Sequence, residues 1–325
     1  MDDLLRLLMA APTVSGEQVS AALGISRAAV WKRVEKLRAQ GFDIRSAGRS
    51  GYRLLPLPDA LDAAALSALL DTAWAGRALA LLPIVDSTNA EARRRALEGA
   101  PHGLLVAADQ QTAGRGRRGR GWLSAPGMGL WMTLLLRPQA QAEQIPCLTL
   151  LIALAAARAC QAVSGAPVRI KWPNDLVVHG RKLCGILLEM AADLDGVQWV
   201  AAGVGINLRQ QPEDFPEALR GTAISLAQCM DAPPPRAALA AAFLREVEAL
   251  YDAWAAHGMA GIRQPYLAAS ATLGQPVRVE ALDEAFTGTA EALDDTGALL
   301  VRQADGTLRR VLAADVSVRG VMGYV

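Results

Sequence analysis

Gln111-Thr112-Ala113-Gly114-Arg115-Gly116-Arg117-Arg118-Gly119-Arg120-Gly121-Trp122 packs four arginines among four glycines, just after the apolar, strand-like run Gly103-Leu104-Leu105-Val106-Ala107-Ala108. Glycine lets the backbone approach a ligand closely and adopt left-handed conformations. Arginine supplies a rigid fork of donors for carboxylate or phosphate. A loop rich in both is suited to close over a small anion, which would relieve its own charge repulsion. Gly114-Arg115-Gly116-Arg117-Arg118-Gly119 also spells G-x-G-x-x-G, but a dinucleotide fingerprint should open a helix and precede an acid about 20 residues on. Here the chain runs into Leu123-Ser124-Ala125-Pro126-Gly127, and Leu130 to Ala142 contains no acid. Arg120-Gly121 likewise stands where a P-loop needs Lys-Ser/Thr. Both nucleotide readings fail; a solvated basic turn or a nucleic-acid patch remains the plain alternative.

Outward from that loop, strands and helices alternate. Ala78 to Val85 reads as strand, Asn89 to Glu98 as helix and Gly103 to Ala108 as strand; after the loop come strand Leu130 to Leu136 and a helix from about Ala142 to Val163. Val168 to Val178 and Leu183 to Met190 read as paired strands around His179-Gly180-Arg181, with Trp199 to Leu208 a further strand. Residues 212–268 read as helix interrupted by Pro233-Pro234-Pro235. From about residue 272 the period changes: Val277-Arg278-Val279, Ala285 to Thr289, Ala298 to Val301 and Val316 to Val318 are short strands spaced as in a small β-barrel.

The first 58 residues form a separate unit. Glu17 to Leu23 is a short amphipathic helix stopped by Gly24, Ile25 makes a turn, and Ser26 caps a second helix from Arg27 to Gln40, ended by Gly41. Val30, Val34 and Leu37 form its buried stripe, leaving Ala28 and Lys32 outward. Arg45 to Gly51, with Arg45 and Arg49, makes a basic hairpin between Phe42–Ile44 and Tyr52–Leu55. This is the form of a winged helix-turn-helix, which sets the start of the second helix in a major groove. Nine Lys/Arg against five Asp/Glu give residues 1–58 a net charge of +4, although the whole 325-residue chain carries only +1. The basic function is therefore local. A helical interaction module with a solvated face is the alternative. Leu55 to Asp59 reads as a linker.

Four more polar segments sit at strand ends, where α/β folds border their pockets. Asp86-Ser87-Thr88-Asn89 can cap a helix or hydrogen-bond a ligand. Lys171-Trp172-Pro173-Asn174-Asp175 brackets an aromatic bend with opposite charges inside apolar sequence, where unpaired burial would be costly. Lys182-Leu183-Cys184-Gly185 and Gly203-Val204-Gly205-Ile206-Asn207 again place polar groups beside glycines. The four cysteines and three histidines are scattered without metal-ligand spacing, so the thiols read as reduced and packed, and no side-chain metal cluster is expected. Met1-Asp2-Asp3 lacks a signal peptide's basic start, and the apolar stretch Cys147 to Ala157 ends at Arg158, short of a membrane span. A cytoplasmic protein without membrane attachment is expected.

In order and spacing, Ser-Thr-Asn, Gly-Arg-Gly-Arg-Arg-Gly-Arg-x-Trp, Lys-Trp-Pro-Asn-Asp, Arg-Lys-Leu-x-Gly-Ile-Leu and Gly-x-Gly-Ile-Asn resemble biotin protein ligases. Ser15-Gly16-Glu17-Gln18 and Ser26-Arg27-Ala28-Ala29 resemble the DNA-binding domain of the bifunctional ligase/biotin operon repressor form. Gly121 departs from the family, in which a basic residue often precedes the tryptophan.

The resemblance implies an α/β (α+β) catalytic domain of the class II aminoacyl-tRNA-synthetase-like biotin ligase type over residues 59–271. It adds an N-terminal winged helix-turn-helix over 1–58 and an SH3-like β-barrel over 272–325. It implies that Ser87, Thr88, Asn89, Gln111, Gly114, Arg115, Gly116, Arg117 and Lys182 bind biotin or its adenylate, with Lys171, Asn174, Gly185 and Asn207 completing the pocket. Arg115, Lys182 and Asp175 are the candidate catalytic groups, with Mg²⁺ carried by ATP and Asp175 the candidate group near it. Ser26, Arg27, Ala28, Lys32, Arg45 and Arg49 are the DNA-binding candidates. The implied partners are the biotin carboxyl carrier protein of acetyl-CoA carboxylase, operator DNA and, on ligand binding, a second copy of the chain. A lipoate–protein ligase, a ligand-sensing repressor without catalysis, and a ligase whose N-terminal domain no longer binds DNA are the competing readings.

Overall fold

The computed structural model describes residues 3–11, 13–39, 44–54, 61–194, 196–280, 285–312 and 317–320. The chain opens with α1 (Asp3–Ala10), α2 (Gly16–Leu23) and α3 (Arg27–Ala39), followed by the hairpin β1 (Ile44–Ser46) and β2 (Tyr52–Leu54). Ser15 and Gln18 form a capping box at α2, and Gly24 closes that helix in the left-handed conformation. Leu4, Leu8, Val19, Val30, Val34, Leu37 and Ile44 are its buried core. The expected helix stop at Gly41 and the linker at Leu55 to Asp59 lie outside the described residues.

After α4 (Ala63–Leu69), a seven-stranded sheet is built from β3 (Leu79–Val85), β4 (Leu105–Gln111), β5 (Gly129–Leu136), β6 (Arg169–Lys171), β7 (Asp175–Val178), β8 (Arg181–Asp193) and β9 (Gly196–Asn207). Its order is β3-β4-β5-β9-β8-β7-β6. β3 and β4 are parallel, joined through α5 (Thr88–Leu97), and all other pairs are antiparallel. On one face, α5 packs Ala92 and Ala96 against Ala80, Val106, Leu135 and Ala201. The other face carries α6 (Ile145–Ser164) and α7 (Arg236–His257), with α8 (Ala260–Ala269) beside them. α6 is apolar enough in composition to cross a membrane, but two-thirds of its apolar window is buried inside the protein. Arg158 on α6 pairs with Glu246 on α7 at 3.2 Å.

Two element boundaries differ from the sequence reading. Val168 to Val178 is not one strand; β6 and β7 pair back on each other around Trp172-Pro173-Asn174, whose Trp172–Pro173 peptide is cis. Helix does not resume at residue 212: residues 212–228 hold three short 3₁₀ turns, and α7 starts at Arg236, after the three prolines. The His179-Gly180 turn between β7 and β8 has both residues at positive φ (49° and 71°), the requirement of a tight primed hairpin turn.

The C-terminal part is an antiparallel sheet of β10 (Pro276–Glu280), β11 (Ala285–Leu293), β12 (Leu299–Arg302), β13 (Leu308–Val311) and β14 (Ser317–Gly320), ordered β13-β12-β11-β10-β14. β13 went unread in the sequence because Leu308-Arg309-Arg310-Val311 lacks strict alternation. Among the described residues the five strands form an open sheet, and the closure expected of a barrel is not shown. Val277, Val279, Leu299 and Val301 share the main core. Trp172 Nε1 donates to Gly297 O at 3.1 Å, fastening this sheet to the β6–β7 bend.

Candidate active site

Pleating sorts the central sheet into a core face and a ligand face. Register aligns Asp175, Gly185, Gly205 and Trp131 in one row across β7, β8, β9 and β5. Leu187, Gly203 and Thr133 form the next row. Glycines on this face leave room for rings. A Cβ at Gly205 would stand 2.5 Å from Trp122 Nε1, and one at Gly203 would stand 2.1 Å from Asn89 Oδ1. Trp122, at the end of the arginine loop, therefore lies against a floor stripped of side chains, edge-on to Trp131 with ring centroids 6.4 Å apart.

Lys182 reaches this face through a backbone irregularity. Strict alternation from Gly185 would turn residue 182 toward the core. The β7–β8 register shifts between Leu176/Cys184 and Val177/Lys182, inserting Leu183 as the extra residue. Leu183 and Cys184 are both fully buried in the core, and Lys182 returns to the ligand side. Its Nζ lies 2.6 Å from Asp175 Oδ1 and 5.4 Å from the centre of the Trp122 ring.

A cavity of about 440 Å³ results. Ser87, Thr88, Asn89, Gln111, Arg115, Gly116, Arg117, Lys171, Asn174, Asp175, Lys182, Gly185 and Asn207 all line it, although the sequence spreads them over 121 positions. Gly114 does not line it; a Cβ there would stand 2.5 Å from Trp122 O, so its smallness serves the base of the loop. Six cations surround the cavity (Arg115, Arg117, Arg118, Arg120, Lys171 and Lys182) against one carboxylate, Asp175. Such a lining favours a polyanion.

The polar wall is a connected network. Ser87 caps α5, and Thr88 donates its N–H to Gln111 Oε1 at 2.8 Å. Thr133 Oγ1 donates to Asn89 Oδ1 at 2.7 Å and hydrogen-bonds Thr88 Oγ1 at 2.8 Å. Asn89 Nδ2 donates to Leu187 O at 3.1 Å and to Glu189 Oε2 at 2.9 Å. Thr133 and Glu189 went unread in the sequence. The available signal was a lone hydroxyl in the wholly buried strand Gly-Leu-Trp-Met-Thr-Leu-Leu-Leu, since a buried polar group requires a partner.

The arginine loop folds on itself. Gly116 N donates to Arg120 O at 2.7 Å and Trp122 N to Gly114 O at 2.9 Å, while Arg118 and Gly119 take φ of 57° and 70°. Arg117 is half-buried instead of an exposed loop side chain, and donates to Asn174 Oδ1 at 2.9 Å. Burial holds its guanidinium below the usual arginine range, opposed by the charge of Asp175. Asn174 Nδ2 donates to Ile186 O at 2.9 Å, and Asn207 Nδ2 donates to Ile224 O at 3.1 Å. Among the described residues no three His, Cys, Asp or Glu side chains cluster as metal ligands. The four cysteines are unpaired thiols.

At the N-terminus, Ser26 Oγ accepts from Ala29 N at 3.2 Å, capping α3 as expected. Arg27, Ala28 and Lys32 are exposed on that helix and Arg45 on the hairpin; the Arg49 side chain lies outside the described residues.

Residues 81–207 match the biotin/lipoate A/B protein ligase family, residues 272–319 the biotin protein ligase C-terminal domain, and residues 1–53 a helix-turn-helix domain. The bifunctional ligase/repressor BirA of Bacillus spizizenii is 39% identical over 316 residues, covering 97% of both chains. That of Escherichia coli is 32% identical over 319 residues, covering 97% of this chain and 96% of its own. The biotin protein ligase of Aquifex aeolicus, solved in complex with biotin and ATP, superposes with a TM-score of 0.66 at 27% identity, covering 75% of this chain and 99% of that one. With all three domains in order and relatives matched end to end, the chain belongs to the family of bifunctional biotin protein ligase/repressors.

Proposed function

We propose that the protein activates biotin with ATP to biotinyl-5'-AMP, releasing pyrophosphate, and transfers biotin to a lysine of a biotin carboxyl carrier protein. We further propose that residues 1–58 bind operator DNA. The observation that carries the enzymatic reading is a cavity of about 440 Å³ ringed by six cations around one carboxylate: the cations accept a triphosphate, and the glycines of the sheet let Trp122 and Asn89 sit close enough to it to leave that space open.

Biotin's carboxylate attacks the α-phosphorus of ATP; the new C–O–P anhydride forms as the bond to pyrophosphate breaks. Positioning and charge neutralisation supply most of the catalysis. Arg115 and Lys182 face the phosphates, and Thr88, Asn89 and Gln111 hold the biotin head. Asp175 is the single carboxylate in the lining, a donor set that suits a Mg²⁺ held mainly by the phosphates of ATP. In the second half-reaction the carrier amine attacks the anhydride carbonyl, an amide forms and AMP leaves. Asp175 keeps Lys182 directed at the phosphates and, once phosphate competes for that ammonium, its carboxylate is released to orient or deprotonate the incoming amine. The arginine loop, residues 114–121, shields the anhydride from water.

The match of residues 272–319 to the biotin protein ligase C-terminal domain supports reading the C-terminal sheet as an SH3-like fold. One helix-turn-helix reads one half-site, so tight operator binding requires a dimer on a palindrome. Ordering of the arginine loop by biotinyl-AMP lowers the entropy cost of that dimer and links the two ligands. The setting is cytoplasmic, consistent with four buried or half-buried free thiols. Labelled biotin with ATP–Mg²⁺ and a carrier domain should label one carrier lysine, and Lys182→Met should abolish labelling. Lys32→Ala and Arg49→Ala should weaken operator binding. Labelling by lipoate but not biotin would overturn the substrate assignment.

A further inference from the structure

α3 carries an aromatic side chain that packing does not use. Trp31 is 56% exposed, while Val30, Val34 and Leu37 on the same helix are buried. The other six tryptophans of the chain are buried or half-buried. Ala28, one turn earlier, is exposed as well, so the two make a short apolar strip on the outward face. Arg27, Lys32 and Lys36 border it, all exposed, and the one acid on that face, Glu35, is paired with Arg38 at 2.6 Å. Arg27 is paired with Glu17 at 3.2 Å, a contact between two largely exposed side chains, which phosphate can outcompete.

An apolar strip rimmed by cations has a definite complement. A basic rim selects a polyanion, and within the major groove of a duplex the thymine C5-methyl is the apolar group available for contact. The strip occupies the first two turns of α3, directly behind the Ser26 cap, the part of a recognition helix that meets base edges. Ala28 is short enough to let the helix approach the groove floor, and the indole of Trp31 reaches a neighbouring step.

We infer that Trp31, supported by Ala28, reads thymine methyl groups in the operator and so determines its sequence specificity. This rests on the DNA-binding reading above. The test uses the full-length protein with biotin, ATP and Mg²⁺. Duplexes are selected from a random pool, and each selected thymine is then replaced by deoxyuridine, which lacks only the methyl. Wild type should lose about fourfold in affinity for each contacted methyl, at one or two positions in each half-site. Trp31→Ala should bind the thymine duplex more weakly and ignore the replacement, whereas Trp31→Phe should keep part of the discrimination. Melting temperatures check that the variants fold, as expected for an exposed position. If Trp31→Ala tells thymine from deoxyuridine as well as wild type does, or if wild type is indifferent to every replacement, the inference is wrong while DNA binding stands. If Trp31→Ala alters self-association without DNA, the strip is a protein contact. If no duplex is enriched, the DNA-binding reading itself fails.

Discussion

Thr133→Val isolates the polar wall from everything else in the site. Thr133 is fully buried at the centre of β5, and valine matches its shape, so no cavity opens. What is lost is one hydroxyl bridging Thr88 Oγ1 at 2.8 Å and Asn89 Oδ1 at 2.7 Å. Asn89 is only 4% exposed, so its Oδ1 has little access to replacement water. A buried acceptor stripped of its donor costs about 1–3 kcal/mol, and the substitution should lower unfolding stability by that amount. Because Thr88 and Asn89 are proposed to hold the biotin head, a similar loss should appear in biotin recognition, raising its KM roughly 5- to 150-fold, the ratio equivalent to 1–3 kcal/mol. KM for ATP should barely change. Thr133→Ser keeps the hydroxyl and loses one methyl, costing about 0.8 kcal/mol of stability with KM near wild type. Biotin-dependent pyrophosphate exchange and thermal melts on all three proteins make the comparison. Equal KM values for the valine and serine variants would refute the reasoning.

Gly203→Ala should destabilise by about 1–3 kcal/mol through overpacking and weaken biotin binding, since its Cβ would stand 2.1 Å from Asn89 Oδ1; melts and biotin titration check both. Lys182→Met should lower kcat of adenylation by about 10²–10³, the cost of removing a preorganised charge. It should also destabilise more than the Lys182→Met/Asp175→Asn pair, because Asp175, 14% exposed, is left without its 2.6 Å partner. Hydrogen bonding to Arg94 holds the Asp86 carboxyl at about 2 against an ordinary 3.8. A depressed carboxylate contributes stability above its unfolded pKa and loses it as pH falls. The stability difference between wild type and Asp86→Asn should therefore be constant above about pH 5 and shrink as pH falls toward 2; a constant difference in acid titrations would show the pair is inert.

Much of this site was legible because its residues break local rules. Arginines among glycines, charges bracketing Trp-Pro-Asn and a Ser-Thr-Asn turn all stand out against apolar sequence, and each ended at the cavity. Three features were not legible. The re-aiming of Lys182 depends on one inserted residue against β7, a property of two strands and not of either alone. The Arg117–Asn174 contact spans 57 positions, so no local pattern shows that this side chain is built into the wall. Residues 212–228 were read as helix, but Pro212, Pro216 and Gly221 break them into short turns that line the site, held by long-range bonds no local pattern shows: Ile224 N to Lys182 O at 2.9 Å and Asn207 Nδ2 to Ile224 O. The C-terminal strands were read from turn spacing, but Leu308 to Val311 carries two arginines and lacks the alternation that marks a strand.

The most direct test is pyrophosphate release by the full-length protein given biotin, ATP and Mg²⁺ with no carrier. The proposed two-step chemistry, with the anhydride held behind the arginine loop, predicts a burst near one pyrophosphate per active site, followed by slow turnover until carrier is added. Absence of any biotin-dependent burst, or the same burst with lipoate in place of biotin, would contradict it.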